Sequence, residues 1–393
     1  MAERTRGISA KEAPSMVDQI RHRAHASVEN SGTERVEFIN TGSIILNLAS
    51  SQRAKDGGWA RGRIVNLVGD GSTGKTLLAL EAAAQLHYYG EGRKSNLFPK
   101  VENIEIVYWN KEAQMDFPLE KMFGDSFVKA IDWSEKCVTA EQWGRDVFRR
   151  LRAHKPGCCF LGVLDSIDSL GTEAGRIRLD KSIKKDQPLA DGEKEEKIKG
   201  SYGTGTERAK YFSADFFNNL CSEMKGKDFT LILISQVRDN INAGMFEKKQ
   251  IRAGGKALDF YTHQVAWLAS GERLKKEWDK QRRIYGVTIR ARFDRSKVAP
   301  PFREAEVDIL FDYGIDDVGS MAEFLSSDRI QKNFKDVFGG KQVSREILIE
   351  SADNDEVMYD KLVVAVEEYW REIEANTKIV RRPRFGESRT KED

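Results

Sequence analysis

Cysteine is scarce. The four in 393 residues (Cys137, Cys158, Cys159, Cys221) have neither the spacing of a disulfide framework nor that of a metal cluster. Histidine is almost as rare. Of five, only His22 and His25 are close enough to share a helix face, and no cysteine or further histidine nearby completes a metal site, so they read as part of a solvated basic helix. No uninterrupted apolar run approaches the roughly 18 residues a membrane-spanning helix needs. Met1 to Arg6 is charged with no apolar segment behind it, so neither a membrane partner nor a secretory signal is expected. A dominant charge is missing too: 64 Lys and Arg against 62 Asp and Glu leave a net charge of +2. Affinity for a polyanion would therefore come from a local basic surface and not from the overall balance. Together these absences point to a reducing cytoplasmic compartment.

What is present is an ordinary soluble balance, 40% hydrophobic and 32% charged, in a chain long enough for one large domain with extra segments or for two domains. Residues 11–30 have the pattern of a basic helix, followed by the polar break Asn30-Ser31-Gly32-Thr33 and a short β-type run, Val36 to Ile39. Apolar, β-rich runs follow at Ile64 to Val68, Ile104 to Trp109, Phe160 to Leu164, Thr230 to Ile234 and Val265 to Leu268. Between them lie segments of helical periodicity at Thr76 to Tyr89, Ala140 to Ala153 and Glu207 to Lys225. Buried strands alternating with amphipathic helices predict βαβ units and an α/β fold on a mainly parallel sheet flanked by helices. Gly286 to Arg292 and Glu304 to Ile309 alternate more strictly and suit an antiparallel extension of that sheet.

Two polar stretches interrupt the alternation, 171–205 and 238–256, and loops of that length inside a domain are usually functional or disordered. The expected organisation is an N-terminal helical segment over 1–35, a core over 36–318, an α-rich C-terminal region over 319–377, and a polar tail over 378–393 predicted to be disordered.

The most specific signal is Gly69-Asp70-Gly71-Ser72-Thr73-Gly74-Lys75-Thr76, which fits G-x-x-x-x-G-K-[ST]. In that pattern the glycines let backbone N–H groups cradle phosphate oxygens, Lys75 reaches the β/γ phosphates, and the Thr76 hydroxyl ligands Mg2+. A strand runs in and a helix runs out, which sets a helix N-terminus against the phosphates. By average residue frequencies a chain of this length matches by chance roughly once in a hundred. The pattern implies binding and hydrolysis of a nucleoside triphosphate, with ATP the expected one.

Three further strand ends carry candidate groups. Val163-Leu164-Asp165 ends in an acid suited to holding the Mg2+ water shell opposite Thr76; alone, it would equally cap a turn. Glu112, just past Ile104 to Trp109, is placed either to orient the attacking water or as a lone solvated carboxylate. Gln236, at the end of Leu231 to Ile234, suits a γ-phosphate sensor joined to the second polar stretch, or simply satisfies loop backbone. Basic residues Arg238, Lys248, Lys249, Arg252 and Lys256 in that stretch suit phosphate contacts, and backbone near Gly254 and Gly255 can approach a strand closely.

Taken together, these residues resemble the RecA-type homologous recombinases, including their phage members of the UvsX kind. The resemblance spans roughly 36–315. It runs from Thr41-Gly42-Ser43 and Gly62-Arg63-Ile64-Val65 through Glu112 with Asp116 and Leu164-Asp165-Ser166. Its most specific part is Ile234-Ser235-Gln236-Val237-Arg238, Met245-Phe246, Gly254-Gly255-Lys256-Ala257-Leu258 and Phe260-Tyr261, followed by Lys297-Val298-Ala299-Pro300-Pro301-Phe302. It implies a RecA-like P-loop ATPase core that self-associates into a helical filament on single-stranded DNA and exchanges strands with a homologous duplex, consuming ATP and using Mg2+.

By position, Glu112 resembles the family's catalytic carboxylate, Gln236 its γ-phosphate sensor, and Asp116 a nucleotide contact. The two polar stretches resemble its DNA-binding loops, with Phe246 the aromatic side chain near DNA. Arg295 and Lys297 resemble the basic pair that reaches a neighbour's ATP, and residues 1–35 an oligomerisation segment. The implied location is the bacterial cytoplasm, or the host's for a phage-encoded chain. The chain departs from the family's pattern at Asn110, where an acid is usual, at Leu119, where a ring over the adenine is expected, and at Arg381-Arg382-Pro383-Arg384, unlike an acidic tail. Two other functions share such a core: a ring-forming hexameric helicase, which the glycine pair after Gln236 and the Lys297 element oppose, and an ATP-binding recombination mediator, which the set Lys75, Glu112 and Asp165 opposes.

Overall fold

The computed structural model describes residues 36–112, 115, 118–134, 137–185, 204–239, 250–252, 255–379 and 381. The expected N-terminal helix over 11–30 and nearly all of the polar tail lie outside these residues.

The described chain begins with β1 (Phe38–Ile39), the helix α1 (Ile44–Ser51) and β2 (Trp59–Ala60), which pairs antiparallel with β1. Every residue of α1 is buried. That suits a sequence apolar on all sides, Ile-Ile-Leu-Asn-Leu-Ala, and the four aliphatic side chains each contribute about 1.5–3 kcal/mol by leaving water. Ser43 caps it, accepting a hydrogen bond from the Leu46 amide at 3.3 Å.

The βαβ alternation follows as β3 (Ile64–Gly69), α2 (Lys75–Tyr89), β4 (Asn103–Asn110), α3 (Leu119–Phe123), α4 (Asp125–Ala130), β5 (Ile131–Trp133), α5 (Ala140–Ala153) and β6 (Cys158–Asp165). Next come α6 (Glu173–Lys185), α7 (Thr204–Tyr211), a π-helical turn Phe212–Phe216, α8 (Phe217–Met224), β7 (Phe229–Asp239), β8 (Gln250–Arg252) and α9 (Gly255–Tyr261). The remainder is β9 (Gln264–Trp278), β10 (Gln281–Ser296), β11 (Glu304–Leu310), β12 (Gly314–Asp316), α10 (Asp317–Phe324), α11 (Ser327–Phe334), α12 (Arg345–Asn354) and α13 (Glu356–Thr377).

The main sheet runs β12-β11-β10-β9-β3-β7-β6-β4-β5, with β8 attached to β7. From β9 to β5 all pairs are parallel, and β10, β11 and β12 extend the sheet antiparallel. This is the predicted α/β architecture. The strands bury both faces, as their apolar sequences require. Along β6, Cys159, Leu161 and Val163 join one apolar layer while Phe160 and Leu164 join the other. The first layer also holds α1, α2 and the helices α10 to α13; the second holds α5, α8 and the π-turn. The α-rich C-terminal helices therefore share a layer with the phosphate-loop strand and helix.

Three segments differ from expectation. The first polar stretch contains a helix, α6, where a loop was expected. Its sequence Ala-Gly-Arg-Ile-Arg-Leu-Asp-Lys has a single interior glycine and no proline, Thr172 accepts from the Gly175 amide at 3.0 Å, and Arg178 makes a two-pronged ion pair with Glu207 at 2.7 and 2.8 Å. The second stretch is narrower than expected, because β7 runs on to Asp239 and β8 returns to pair with it. The strand expected at Val265 to Leu268 is the root of a much longer one, whose outer half pairs with β10 alone.

Candidate nucleotide site

The phosphate-type loop joins the end of β3 to the start of α2. Gly69 has no room for a side chain: a Cβ there would sit 2.4 Å from Thr73 Oγ1 and 2.8 Å from the Leu268 carbonyl oxygen. Gly74 adopts φ +80°, and a Cβ on it would press to 2.8 Å from Ile309 Cδ1. Around Gly71 the space is open, with nothing within 4 Å of such an atom. The loop is thus closed against β9 and β11 and open where backbone amides can meet a ligand.

Lys75 is buried and its ammonium donates to the Asp70 carbonyl oxygen at 2.5 Å. Burial pulls it below the usual lysine range, against the opposing pull of the carboxylates Asp165, Glu112, Asp70 and Asp168. Four acids thus surround one cation at the N-terminus of α2.

Asp165 ends β6 almost fully buried. Its Oδ2 accepts from Thr76 Oγ1 at 2.6 Å and from the Tyr108 hydroxyl at 2.7 Å. Its Oδ1 is buried with no hydrogen-bond partner. Burial pushes the carboxyl upward, and the bonds from Thr76 and Tyr108 oppose that shift. An orphaned buried carboxylate oxygen is costly. Beside a threonine hydroxyl it makes a hard-oxygen pair that fits a divalent cation completing its shell with water and phosphate. Among the described residues no group of three or more His, Cys, Asp or Glu could hold a metal by itself. The donor set therefore suits a cation that arrives with its nucleotide.

Glu112 stands just past β4. The Asn110 side-chain oxygen accepts from the Glu112 amide at 3.0 Å, so the asparagine at position 110 shapes the turn that carries the acid. Gln236 donates from Nε2 to Glu112 Oε1 at 3.1 Å, and its own amide donates to Asp168 Oδ2 at 2.8 Å. Tyr108 and Asp168 were not singled out from sequence. A buried tyrosine hydroxyl near a strand end, which must find an acceptor, was the available signal for the first.

The remaining candidates separate. Asp116, Phe246, Lys248, Lys249 and Gly254 lie outside the described residues. Arg238 belongs to β7, and Gly255 and Lys256 open α9. Arg252 corrects the expectation of a phosphate contact: it is buried, donating to Asn66 Oδ1 and to Asp259 Oδ1 at 2.5 Å. Asn66 also donates to the Leu233 carbonyl oxygen at 2.7 Å and to Ser235 Oγ at 2.9 Å. The guanidinium is held inside because β8 folds back over the sheet and Asp259 offers a counter-charge. Leu119 is half-buried against the first apolar layer.

Arg295 and Lys297 lie at the other end of the sheet. Arg295 is level with Val265 and Ser296 with Gln264, whereas the phosphate loop begins level with Leu268. Lys297 is exposed and donates to the Phe260 carbonyl oxygen at 2.6 Å. The pair is not brought to its own chain's phosphate loop.

Residues 194–316 match the family described as RecA N-terminal domain. The chain is 27% identical over 299 residues to Protein RecA of a Nitratiruptor species, covering 74% of this chain and 71% of that one. It is 26% identical over 329 residues to Protein RecA of Bacillus cereus, covering 81% of each. Similarity to Protein RecA of Ruminococcus albus is 26% over 290 residues, 73% of this chain and 60% of the relative.

Proposed function

We propose, for a chain that belongs to the RecA-type recombinases, that ATP with Mg2+ is the ligand of Gly69–Thr76 and that its cleavage governs the grip of the second loop on DNA. The chain is a recombinase and a DNA-dependent ATPase, as its family is.

The observation that carries this reading is the hydrogen bond between Glu112 and Gln236, at 3.1 Å, across 124 positions of sequence. It joins an acid beside the phosphate loop to the residue from which the second loop departs. In the proposed reaction the open backbone around Gly71 holds phosphate oxygens, and Lys75 exchanges the Asp70 carbonyl for the β/γ phosphates. Asp165 Oδ1 and the Thr76 hydroxyl hold Mg2+, which when bound bridges phosphate oxygens and offsets their charge. Glu112 orients the attacking water and accepts its proton. Gln236 then turns its amide between Glu112 and the γ-phosphate, carrying the nucleotide state into the strand that leads to Arg238 and on to Phe246, Lys248, Lys249, Gly254, Gly255 and Lys256.

Arg295 and Lys297, remote from the loop of their own chain, act on a neighbour's triphosphate within a helical filament. That role explains why two cations stand at the sheet's far end. Single-stranded DNA occupies the filament and a homologous duplex is paired against it.

Electron microscopy of the full chain with single-stranded DNA and a non-hydrolysable ATP analogue tests this. Long helical filaments are expected, together with ATP hydrolysis that rises on adding DNA. Closed rings, or hydrolysis indifferent to DNA, would overturn it.

A further inference from the structure

The antiparallel pair β9 and β10 outgrows its sheet. On one side β3 accompanies β9 only as far as Leu268, and on the other β11 accompanies β10 only from Gly286 onward. Between these limits the chain is a two-stranded ribbon that pairs out to Trp278 and Gln281 and turns at Asp279-Lys280. Every residue from Ala269 to Tyr285 is exposed except half-buried Leu274. Both turn residues adopt positive φ, 47° and 60°, a conformation that glycine or asparagine takes far more readily. A bare two-stranded hairpin is marginal by itself in water.

The arrangement of charge on the ribbon is specific. Register places Trp278 opposite Gln281 and Lys276 opposite Arg283, so these four share one face. Two cations directly across a strand pair repel, and that face carries no acid between Lys276 and the tip to offset them. Beside them Trp278 is 80% exposed, the most exposed large apolar side chain among the described residues. Lys275 and Arg282 lie on the opposite face with Glu277. None of these basic residues takes part in an ion pair with a described residue. An indole with two unscreened cations one step along the strand is the chemistry of a stacked base with its phosphates. The ribbon also leaves the sheet at the end where the phosphate loop and the second loop leave, since Gly69 is level with both Leu268 and Gln236.

We propose that the tip of the β9–β10 ribbon is a separate contact for single-stranded DNA, with Trp278 stacking on a base and Lys276 and Arg283 holding the adjoining phosphates. This contact lies outside the second loop and rests on the recombinase reading above. It enlarges the strand the protein holds without touching the hydrolytic residues.

The test uses the full-length protein, a labelled thymidine oligonucleotide and a matching abasic one, titrated over a range of salt. Lys276→Ala with Arg283→Ala should lower the slope of log affinity against log salt by about 1.4, two single-strand phosphates at about 0.7 each. Trp278→Ala should weaken binding roughly tenfold on the normal oligonucleotide but not on the abasic one, and Trp278→Phe should recover most of the loss. ATP hydrolysis without DNA should be unchanged in all three variants, which also reports that they are folded. If the wild type binds the oligonucleotide and the variants match it in affinity and slope, the ribbon proposal falls while the recombinase reading stands. If the wild type binds no single strand, the recombinase reading itself falls. Loss of self-assembly in the variants without DNA would make the ribbon a protomer contact and overturn the proposal as well.

Discussion

Gln236 Nε2 donates to Glu112 Oε1 at 3.1 Å, while the Gln236 amide is held by Asp168 Oδ2 at 2.8 Å. The backbone of Gln236 is thus anchored while its side chain is committed by one exposed bond. An exposed bond of this kind contributes on the order of 1 kcal/mol, small enough for a phosphate to displace.

Gln236→Ala should uncouple the two activities. ATP would still bind, but DNA would no longer raise hydrolysis several-fold, and nucleotide would no longer alter DNA affinity. Paired with Glu112→Gln in a double-mutant cycle on nucleotide-dependent DNA binding, the two changes should be non-additive by about 0.5–3 kcal/mol. Additive effects would show that the pair transmits nothing.

Lys75→Ala should abolish phosphate release while leaving the fold intact, since the side chain's one short bond is to its own loop. Turnover at the wild-type rate would remove the phosphate-loop assignment.

Asp165→Asn should cost Mg2+-dependent nucleotide binding about a hundredfold, measured by titrating the metal at fixed nucleotide. Tyr108→Phe should cost far less, roughly 1–2 kcal/mol, because Thr76 still donates to the same oxygen. Equal losses in both variants would argue for a structural role of Asp165.

Arg252→Ala should destabilise the fold by about 3–5 kcal/mol, as one partner of a buried pair is removed. Normalised for folded protein, the salt slope of DNA binding should not change. Lys248→Ala and Lys249→Ala should instead lower that slope by about 0.7 each. A slope change in the Arg252 variant would restore it to the DNA contacts.

Asp317 gives a pH prediction. Its carboxyl accepts from the Ile44 amide at 2.7 Å and the Tyr359 hydroxyl at 2.9 Å, yet burial pushes it up to about 6 from the ordinary value of 3.8. A folded-state value above the unfolded one means the native state holds the proton more tightly. Its contribution is therefore complete below about 4 and is lost as pH rises through about 6. Denaturant unfolding at pH 4.5 and 7.5 should show the wild type losing on the order of 2 kcal/mol from this group. Asp317→Asn should flatten that part of the profile, and an unaltered profile would refute the assignment.

Much of the phosphate site was legible because its chemistry is local. Eight consecutive residues between a strand and a helix specify the loop whatever surrounds them, and hydrophobic alternation specifies buried parallel strands. Asp165, Glu112 and Gln236 could be listed because a parallel sheet presents its ligand groups at strand ends. What could not be read was which of them meet. The 3.1 Å bond between Glu112 and Gln236 depends on β4, β6, β7 and β3 lying side by side in an order that departs from chain order.

Arg252 shows the limit in the other direction. Counted along the chain it is one more cation in a basic loop, but the return of β8 buries it against Asn66 and Asp259, where its charge is spent inside the protein. The ribbon was equally hidden, since its residues have no distinctive spacing and only cross-strand register puts Trp278, Lys276 and Arg283 on one face. The sequence alone determined the phosphate loop, the parallel core and the family resemblance, because those rest on local patterns and short-range periodicity. Tertiary structure alone decided which acid meets Gln236, which arginine is buried and which face of the ribbon is cationic, because those depend on register between strands far apart in the chain.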